Sequence, residues 1–232
     1  MPDHKQIYQQ QARQYEHLIQ REDYQKTILP VLQKITPLCG KDILDTGSGT
    51  GRLAYLLAPF AKSIIACDAS EHMLDFATRK LEISGFNHWH TQVADHHHLP
   101  TPDNSIDIVT SGWSVCYLVE SEHPHALEPV EIAIKEMKRV LRPGGTIIIL
   151  ETLGIGVETP DPPEKLKPYY HRLEQLGFKN QSIRTDYQFE SLEEMQELVT
   201  FFFGAEMADN WQANPEIRLP ECTGIWHFQK PQ

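Results

Sequence analysis

The sequence predicts a doubly wound α/β fold. This is a mostly parallel seven-stranded sheet with helices on both faces, an antiparallel hairpin at its C-terminal edge and a helical lid at the N-terminus. Three observations carry the prediction. Short apolar runs alternate with segments of helical period along the whole chain. One junction, Asp42 to Arg52 (DILDTGSGTGR), reads as strand, tight turn and helix. The first three strands each end in an acid: Asp45, Asp68 and Asp95.

Taken in order, residues 4–36 have helical spacing, with Tyr8, Ala12, Tyr15 and Ile19, then Tyr24, Ile28, Leu32 and Ile35. Pro30 is placed to kink or divide the second segment. Two readings stand for this region: amphipathic helices packed on the domain edge, or a lid with Tyr8 and Tyr15 facing a ligand. After a linker at Pro37–Lys41 come the first strand and the glycine turn, then a helix carrying Leu53, Leu56 and Leu57. KSIIACD, residues 62–68, is a buried-type second strand. Ser70 caps a helix with Met73, Leu74, Ala77 and Leu81, and Gly85 ends it. HWHTQVAD, residues 88–95, alternates as a third strand and leads into a loop marked by Pro100, Pro102 and Asn104. SIDIVTS, residues 105–111, is the fourth strand, and Gly112–Pro124 a loop or short helix. An amphipathic helix over 126–141 is stopped by RPGG, which turns into the fifth strand, TIIILE. Beyond the loop Gly154–Pro163, a helix over 164–176, a long strand Phe178–Phe189, a helix over 191–203, a loop Asn210–Pro220 and a last strand Cys222–Gln229 complete the chain. We read one domain, with 1–36 as lid, 37–153 as the cofactor-binding half and 154–232 as the acceptor-side half.

The totals narrow the function. A chain of 232 residues, 40% hydrophobic, holds one sizeable core. Its net charge of −11, without any basic run, argues against nucleic acid as partner. The cysteines Cys39, Cys67, Cys116 and Cys222 are scattered, with no C-x-x-C. The N-terminus lacks an apolar signal segment, and no stretch approaches the ~20 apolar residues that cross a bilayer. These features predict a cytoplasmic protein, monomer or homodimer, without membrane insertion. The run His96–His98 invites a metal, but adjacent loop side chains seldom converge on one ion, so none is expected.

The chemistry centres on the glycine turn. Gly47, Gly49 and Gly51 accept unusual backbone angles and allow close approach to the main chain. The helix that follows offers free N–H groups and a partial positive charge. In an open α/β sheet, ligands lie outside the carboxyl ends of the strands, so Asp45, Asp68 and Asp95 should line one crevice. Asp68 stands 17 residues beyond Gly51, where a carboxylate in nucleotide-binding folds accepts from ribose hydroxyls. A nicotinamide-dependent oxidoreductase would use a related turn, but its G-x-G-x-x-G fingerprint needs a glycine where Arg52 stands.

The segments DTGSGTG, CDAS with Met73, VADHHHLP, SIDIVTS and EMKRVLRPGGTIIILE together resemble class I S-adenosylmethionine-dependent methyltransferases. The similarity is to the small-molecule branch of quinone-biosynthesis enzymes. The resemblance covers nearly the whole chain. It implies that Gly47, Ser48 and Gly49 lie under the methionine part of S-adenosyl-L-methionine and that Asp68 takes the ribose hydroxyls. It further implies that Ala69 and Met73 flank the adenine, and that Asp95 and the His96 N–H meet its amino group and ring nitrogen. Ser111 would sit near the methionine end, and Tyr15 matches a lid tyrosine. The sulfonium cation suits an acid-rich crevice with aromatic faces. The expected activity is methyl transfer to a small-molecule acceptor, leaving S-adenosyl-L-homocysteine. A non-catalytic S-adenosylmethionine- or partner-binding protein is the alternative. For the acceptor side the candidates are Trp113, Tyr117 and His171, the last as a base. The Asn/Asp-Pro-Pro-aromatic motif of enzymes that methylate nucleic-acid bases or glutamine is replaced after strand four by SGWSV. The DPP at Asp161–Pro163 lies after strand five and lacks the aromatic.

Overall fold

The structure, a computed structural model, describes residues 4–119, 127–211 and 216–232. Three short helices come first: α1 (His4–Gln10), α2 (Ala12–Ile19) and α3 (Ile28–Ile35). Then follow β1 (Asp42–Thr46), α4 (Arg52–Leu57), β2 (Ser63–Asp68), α5 (Glu71–Ile83), β3 (Trp89–Val93) and β4 (Ile106–Gly112). A 3₁₀ turn at Val115–Leu118 precedes α6 (Glu128–Val140) and β5 (Leu141–Ile155). A second, at Glu164–Leu166, precedes α7 (Lys167–Gln175), β6 (Lys179–Arg184) and β7 (Tyr187–Gln188). The chain closes with α8 (Leu192–Phe203), α9 (Ala205–Trp211), β8 (Arg218–Leu219) and β9 (Glu221–Gln229).

Seven strands form one sheet in the order β3-β2-β1-β4-β5-β9-β6. β1 pairs in parallel with both β2 and β4, so the winding reverses between β1 and β4. That reversal opens a crevice at the carboxyl ends of these two strands. β9 runs antiparallel between β5 and the edge strand β6, so the predicted antiparallel pair stands at that edge, with β7, α8, α9 and β8 intervening between its two strands instead of a hairpin turn. Strands covered on both faces need apolar residues at successive positions. Accordingly Leu44, Val109, Ile147 and Ile149 pack with Ile134, Met137 and Tyr169 of α6 and α7. Their neighbours Ile43, Ile108, Ile148 and Leu150 pack on the opposite face with Leu32, Leu53, Leu57 and Leu81. A third cluster joins Leu18 of α2 to Met195, Leu198 and Val199 of α8 and to Tyr187 and Leu219 of the small β7–β8 sheet.

Several boundaries differ from the sequence expectation, each for a local reason. Residues 20–27 are not helical, because Asp23 accepts from the backbone N–H groups of Thr27 and Ile28 and starts α3 there. Pro30 therefore falls in the first turn of α3, where a missing N–H costs nothing, and neither kinks nor divides it. The single strand expected over Phe178–Phe189 is two strands in different sheets. Buried Asp186 breaks it, bonded to Arg184 (2.9 Å) and to the backbone N–H of Glu221 (3.0 Å). Asn210–Pro220 is not wholly loop: α9 reaches Trp211 and β8 spans Arg218–Leu219, while 212–215 lie outside the described residues. β5 starts at Leu141, which pairs with Ile106 ahead of a register shift, so RPGG is drawn into the sheet. Of the Gly112–Pro124 segment, residues 120–124 lie outside the described residues, and the rest holds the 3₁₀ turn.

Two glycines with the same backbone separate conformation from packing. Gly51 (φ +79°) packs on α5 so closely that a Cβ would lie 2.9 Å from the Ala77 Cβ, whereas Gly85 (φ +76°) faces open space. Gly85→Ala is expected to cost about 1–2 kcal/mol for the left-handed backbone alone. Gly51→Ala should cost about 1–3 kcal/mol more, for overpacking. Urea unfolding of both variants checks this, and equal losses would contradict it.

Candidate functional site

The crevice starts from Asp45, buried at the end of β1. Its Oδ1 accepts from the Thr110 hydroxyl of β4 (2.7 Å), and its Oδ2 from the Ser48 hydroxyl (2.7 Å) and the Ala54 N–H (3.2 Å). Burial pushes its carboxyl up to about 6, against the pull of those donors. All of these bonds are internal, so Asp45 is placed to brace the turn rather than to face into the crevice.

Asp68, at the end of β2, holds the same turn from the other side. Its Oδ2 accepts from the Gly49 N–H and its Oδ1 from the Ser70 N–H, each at 2.8 Å. The Ser48 N–H donates to the Cys67 carbonyl (2.8 Å). Ser70 caps α5 by accepting from the Met73 N–H, which puts buried Met73 with its methyl 3.4 Å from where a Gly49 Cβ would stand. Ala69 is exposed beside it. Among the described residues, apart from its two chain neighbours, a flexible methionine end is all that comes within 4 Å of that position at Gly49, so a ligand can approach the backbone there.

Asp95 is half exposed, and its Oδ1 accepts from the His97 N–H (2.7 Å), so it lies at the rim and not in the crevice floor. His96 turns inward. Its Nδ1 lies 2.9 Å from the Thr46 hydroxyl and its Nε2 2.7 Å from the Ser114 hydroxyl. Burial lowers it to about 4, so the ring is neutral at neutral pH. Ser114 presses on Gly47: a Cβ there would meet Ser114 Oγ at 1.8 Å and His96 Cε1 at 2.9 Å. The glycine at 47 is thus required by these two side chains. Ser111, fully buried at the end of β4, leaves its hydroxyl without a partner, as does Thr50 in the turn.

On the side of the N-terminal helices, Tyr8 and Tyr15 meet edge to face with centroids 5.3 Å apart, and the Tyr8 and Tyr117 hydroxyls are 2.7 Å apart. The Ser70 hydroxyl donates to the Tyr8 carbonyl (3.1 Å), which ties α1 to the start of α5. Arg52, the residue after the turn, lies 4.7 Å from the centre of the Trp113 ring and pairs with buried Glu22 at 2.5 Å. Tyr187 also donates to Glu22 (3.1 Å). Burial raises the Glu22 carboxyl, and Arg52 opposes it. Trp113 has φ +50°, an uncommon backbone for an aromatic residue, held by its N–H to the Leu150 carbonyl (2.7 Å).

His171 stands apart. It is exposed on α7 at an open groove of about 390 Å³ shared with Lys167, Tyr170, Asn180 and Trp226. The His run diverges: His96 points inward, His97 reaches the Pro129 carbonyl and His98 is exposed. Among the described residues no group of three or more His, Cys, Asp or Glu is gathered to hold a metal, and no helix is long and apolar enough to cross a membrane. Sequence reasoning missed Thr46, Ser114, Arg52 and Glu22. Nothing local marks them, because their partners lie 50, 18 and 30 residues away. The residues present fit a nucleoside sulfonium. There is a carboxylate beside the open Gly49 backbone, a Ser111 hydroxyl at the strand switch without a partner among the described residues, and a tyrosine-bearing helix tied to Ser70.

Residues 44–149 match the family described as methyltransferase domain. The chain is 34% identical over 117 residues to a demethylmenaquinone methyltransferase of Clavibacter sepedonicus, covering 50% of this chain and 43% of that protein. It is 34% identical over 137 residues to a malonyl-(acyl-carrier protein) O-methyltransferase of a Marinomonas species, covering 58% and 46%. The chain spans less than half the length of these curated relatives. Among solved structures it is similar to the YcgJ protein of Bacillus subtilis, with TM-score 0.59 and 18% identity over 88% of this chain and 98% of that one. It is also similar to a Haemonchus contortus phosphoethanolamine N-methyltransferase 2 in complex with S-adenosyl-L-methionine, with TM-score 0.63 and 19% identity over 98% and 60%. At such identities the structural likeness is one of fold.

The neutral, buried His96 makes stability depend on pH with a definite sign. Unfolded, it binds a proton below about 6.5; folded, only below about 4. Stability therefore rises with pH between those values, by up to about 3 kcal/mol from this group. Asp45, with its raised carboxyl, works the opposite way up to about pH 6. The difference between the wild type and His96→Gln isolates the histidine. The stability gap should widen in favour of the wild type from pH 4 to 6.5 in urea titrations, and a constant gap would contradict it.

Proposed function

We propose that this protein, whose residues 44–149 match the family described as methyltransferase domain and which is similar to a demethylmenaquinone methyltransferase, transfers a methyl group from S-adenosyl-L-methionine to a small-molecule acceptor. The observation that carries the reading is the glycine turn clamped between Asp45 and Asp68. The clamp fixes a concave stretch of backbone at the strand switch, and there a helix start and a carboxylate face the same ligand.

In this reading Gly47, Ser48 and Gly49 carry the amino-acid end, and Ser111 supplies a hydroxyl that has no partner among the described residues. Asp68 turns its carboxylate to the ribose, Ala69 and Met73 bound the adenine, and Asp95 with the His96 N–H reads its edge. The sulfonium supplies an activated methyl group when bound. The protein's own part is alignment: holding acceptor and methyl in line can contribute roughly 7–11 kcal/mol. Residues 1–36 act as the lid, with Tyr8 and Tyr15 over the site. Residues 37–153 hold the cofactor, and Trp113, Tyr117 and residues 154–232 shape the acceptor side. The net charge of −11 makes a nucleic-acid acceptor unfavourable.

Calorimetry tests the cofactor. Both S-adenosyl-L-methionine and S-adenosyl-L-homocysteine should bind, and Asp68→Ala should weaken each about 10- to 100-fold, the value of one or two bonds to a charged acceptor. Its melting temperature is followed in parallel, because Asp68 also braces the turn. A metabolite panel scored by S-adenosyl-L-homocysteine release then tests the acceptor. Wild-type protein that binds neither nucleoside at millimolar concentration would sink the proposal.

A further inference from the structure

Thr46, His96 and Ser114 form a continuous chain of polar groups, hydroxyl to imidazole to hydroxyl, at the strand switch. Thr46 ends β1, Ser114 lies two residues beyond β4, and His96 reaches between them from the loop after β3. We propose that this chain is a proton relay for methyl transfer and that the acceptor is a hydroxyl-bearing molecule. Ser114 meets the acceptor O–H, and His96, steadied by Thr46, takes the proton through Ser114. The inference rests on the methyl-transfer reading above and deepens it.

The geometry suits that task. A neutral imidazole has one donor and one acceptor nitrogen, while a hydroxyl serves either role. With Nδ1–H donating to Thr46, Nε2 is left bare to accept from Ser114, and the Ser114 lone pairs stay free for an incoming O–H. Ser114 Oγ sits against Gly47, the residue of the turn nearest the strand switch, so the relay opens on the same crevice as the glycine backbone.

Other bases near the crevice are bonded within the protein, exposed at its rim, fully buried or in another groove. Asp45 spends its oxygens on Ser48, Thr110 and Ala54, and Asp68 spends its own on Gly49 and Ser70. Asp95 lies at the exposed rim. Glu151 is fully buried, its Oε1 accepting from the Cys116 N–H (2.9 Å) and the Tyr169 hydroxyl (3.1 Å) and its Oε2 without a partner among the described residues, so no solvent-exposed face of it meets an acceptor. His171 stands in a different groove.

A neutral base also matches the charge balance of the reaction. The acceptor oxygen forms a bond to the methyl carbon while the carbon–sulfur bond breaks, its electron pair passing to sulfur. The oxygen's proton moves to Ser114 Oγ as the Ser114 proton moves to His96 Nε2. The imidazole becomes cationic only as the sulfonium charge disappears, so the crevice never holds two like charges. An O-methylated oxonium is a far stronger acid than an imidazolium, so even a histidine lowered by burial accepts this proton. An amine acceptor needs no such relay, because its methylated product is stable as a cation.

The ionisable groups acting on the ring are His97 and Asp95 of its own loop, while Asp45 on β1, Cys67 and Asp68 on β2, and Cys116 beyond Ser114 belong to the elements whose ends meet at the same strand switch. His97 disfavours the cationic ring and Asp95 favours it.

The test uses the full chain. Nitrogen NMR of the imidazoles, with S-adenosyl-L-homocysteine bound at pH 7 and His96 assigned from the His96→Gln spectrum, should find Nδ1 protonated and Nε2 bare. A ring protonated at Nε2 overturns the relay, because Ser114 would then have no acceptor for its proton. In turnover with alcohols and phenols set against primary amines, release of S-adenosyl-L-homocysteine should require the hydroxyl compounds. Ser114→Ala and His96→Gln should lower kcat by about a hundredfold or more. The fall in kcat toward acid pH should vanish in His96→Gln and shift in Thr46→Val. Turnover of amines alone, or a His96→Gln rate that is lower but keeps the wild-type pH profile, overturns the proposal. Wild-type protein that fails to bind S-adenosyl-L-homocysteine defeats the methyl-transfer reading instead.

Discussion

Burying one carboxylate, Asp45, is the constraint from which the crevice follows. A buried acid survives only if its oxygens are satisfied. Here the donors come from three elements: Thr110 on β4, Ser48 in the turn and the Ala54 N–H in α4. Satisfying Asp45 thus locks the two strands at the switch point and fixes the path of the glycine turn between them. Asp68 then takes the Gly49 N–H and sets the far side of the same turn. The two acids share a position at strand ends but not a role. Asp45 is walled in, while Asp68 is partly open to whatever the turn holds.

The local features were legible because their cause is local. The alternation of strands and helices, the glycine turn and the Ser70 cap each follow from residues within a few positions of one another. The mostly parallel α/β sheet itself was readable from that alternation. What the sequence did not reveal depends on distant partners. The β7–β8 pair exists because Asp186 draws Arg184 and the Glu221 N–H together and ends β6 early. The strand-ending acids read as three equal contributors, yet Asp95 lies at an exposed rim, since β3 is the edge strand and its end is covered on one side only. His96 read as one member of a histidine run. Only the fold shows that it alone points inward, to hydroxyls 50 residues before it and 18 after it.

Aromatic and charged groups close the other side of the crevice. Tyr8, Tyr15 and Tyr117 meet edge to face, so the first helices rest on the 3₁₀ segment after β4. Arg52 carries its charge from the turn to Glu22 and lies over the Trp113 ring, which couples the chain between α2 and α3 to the start of α4. Removing a guanidinium from water is costly unless it is paired, and the pairing with Glu22 and the indole face together meet that cost. These contacts link the glycine turn, the segment after β4 and the N-terminal helices.

The most direct test of this account is a crystal structure of the protein with S-adenosyl-L-homocysteine. We expect the ribose hydroxyls on the carboxylate of Asp68, the amino-acid end over Gly47–Gly49 and the Asp45 bonds unchanged. Nucleoside density elsewhere, or a ribose that makes no contact with Asp68, would contradict it.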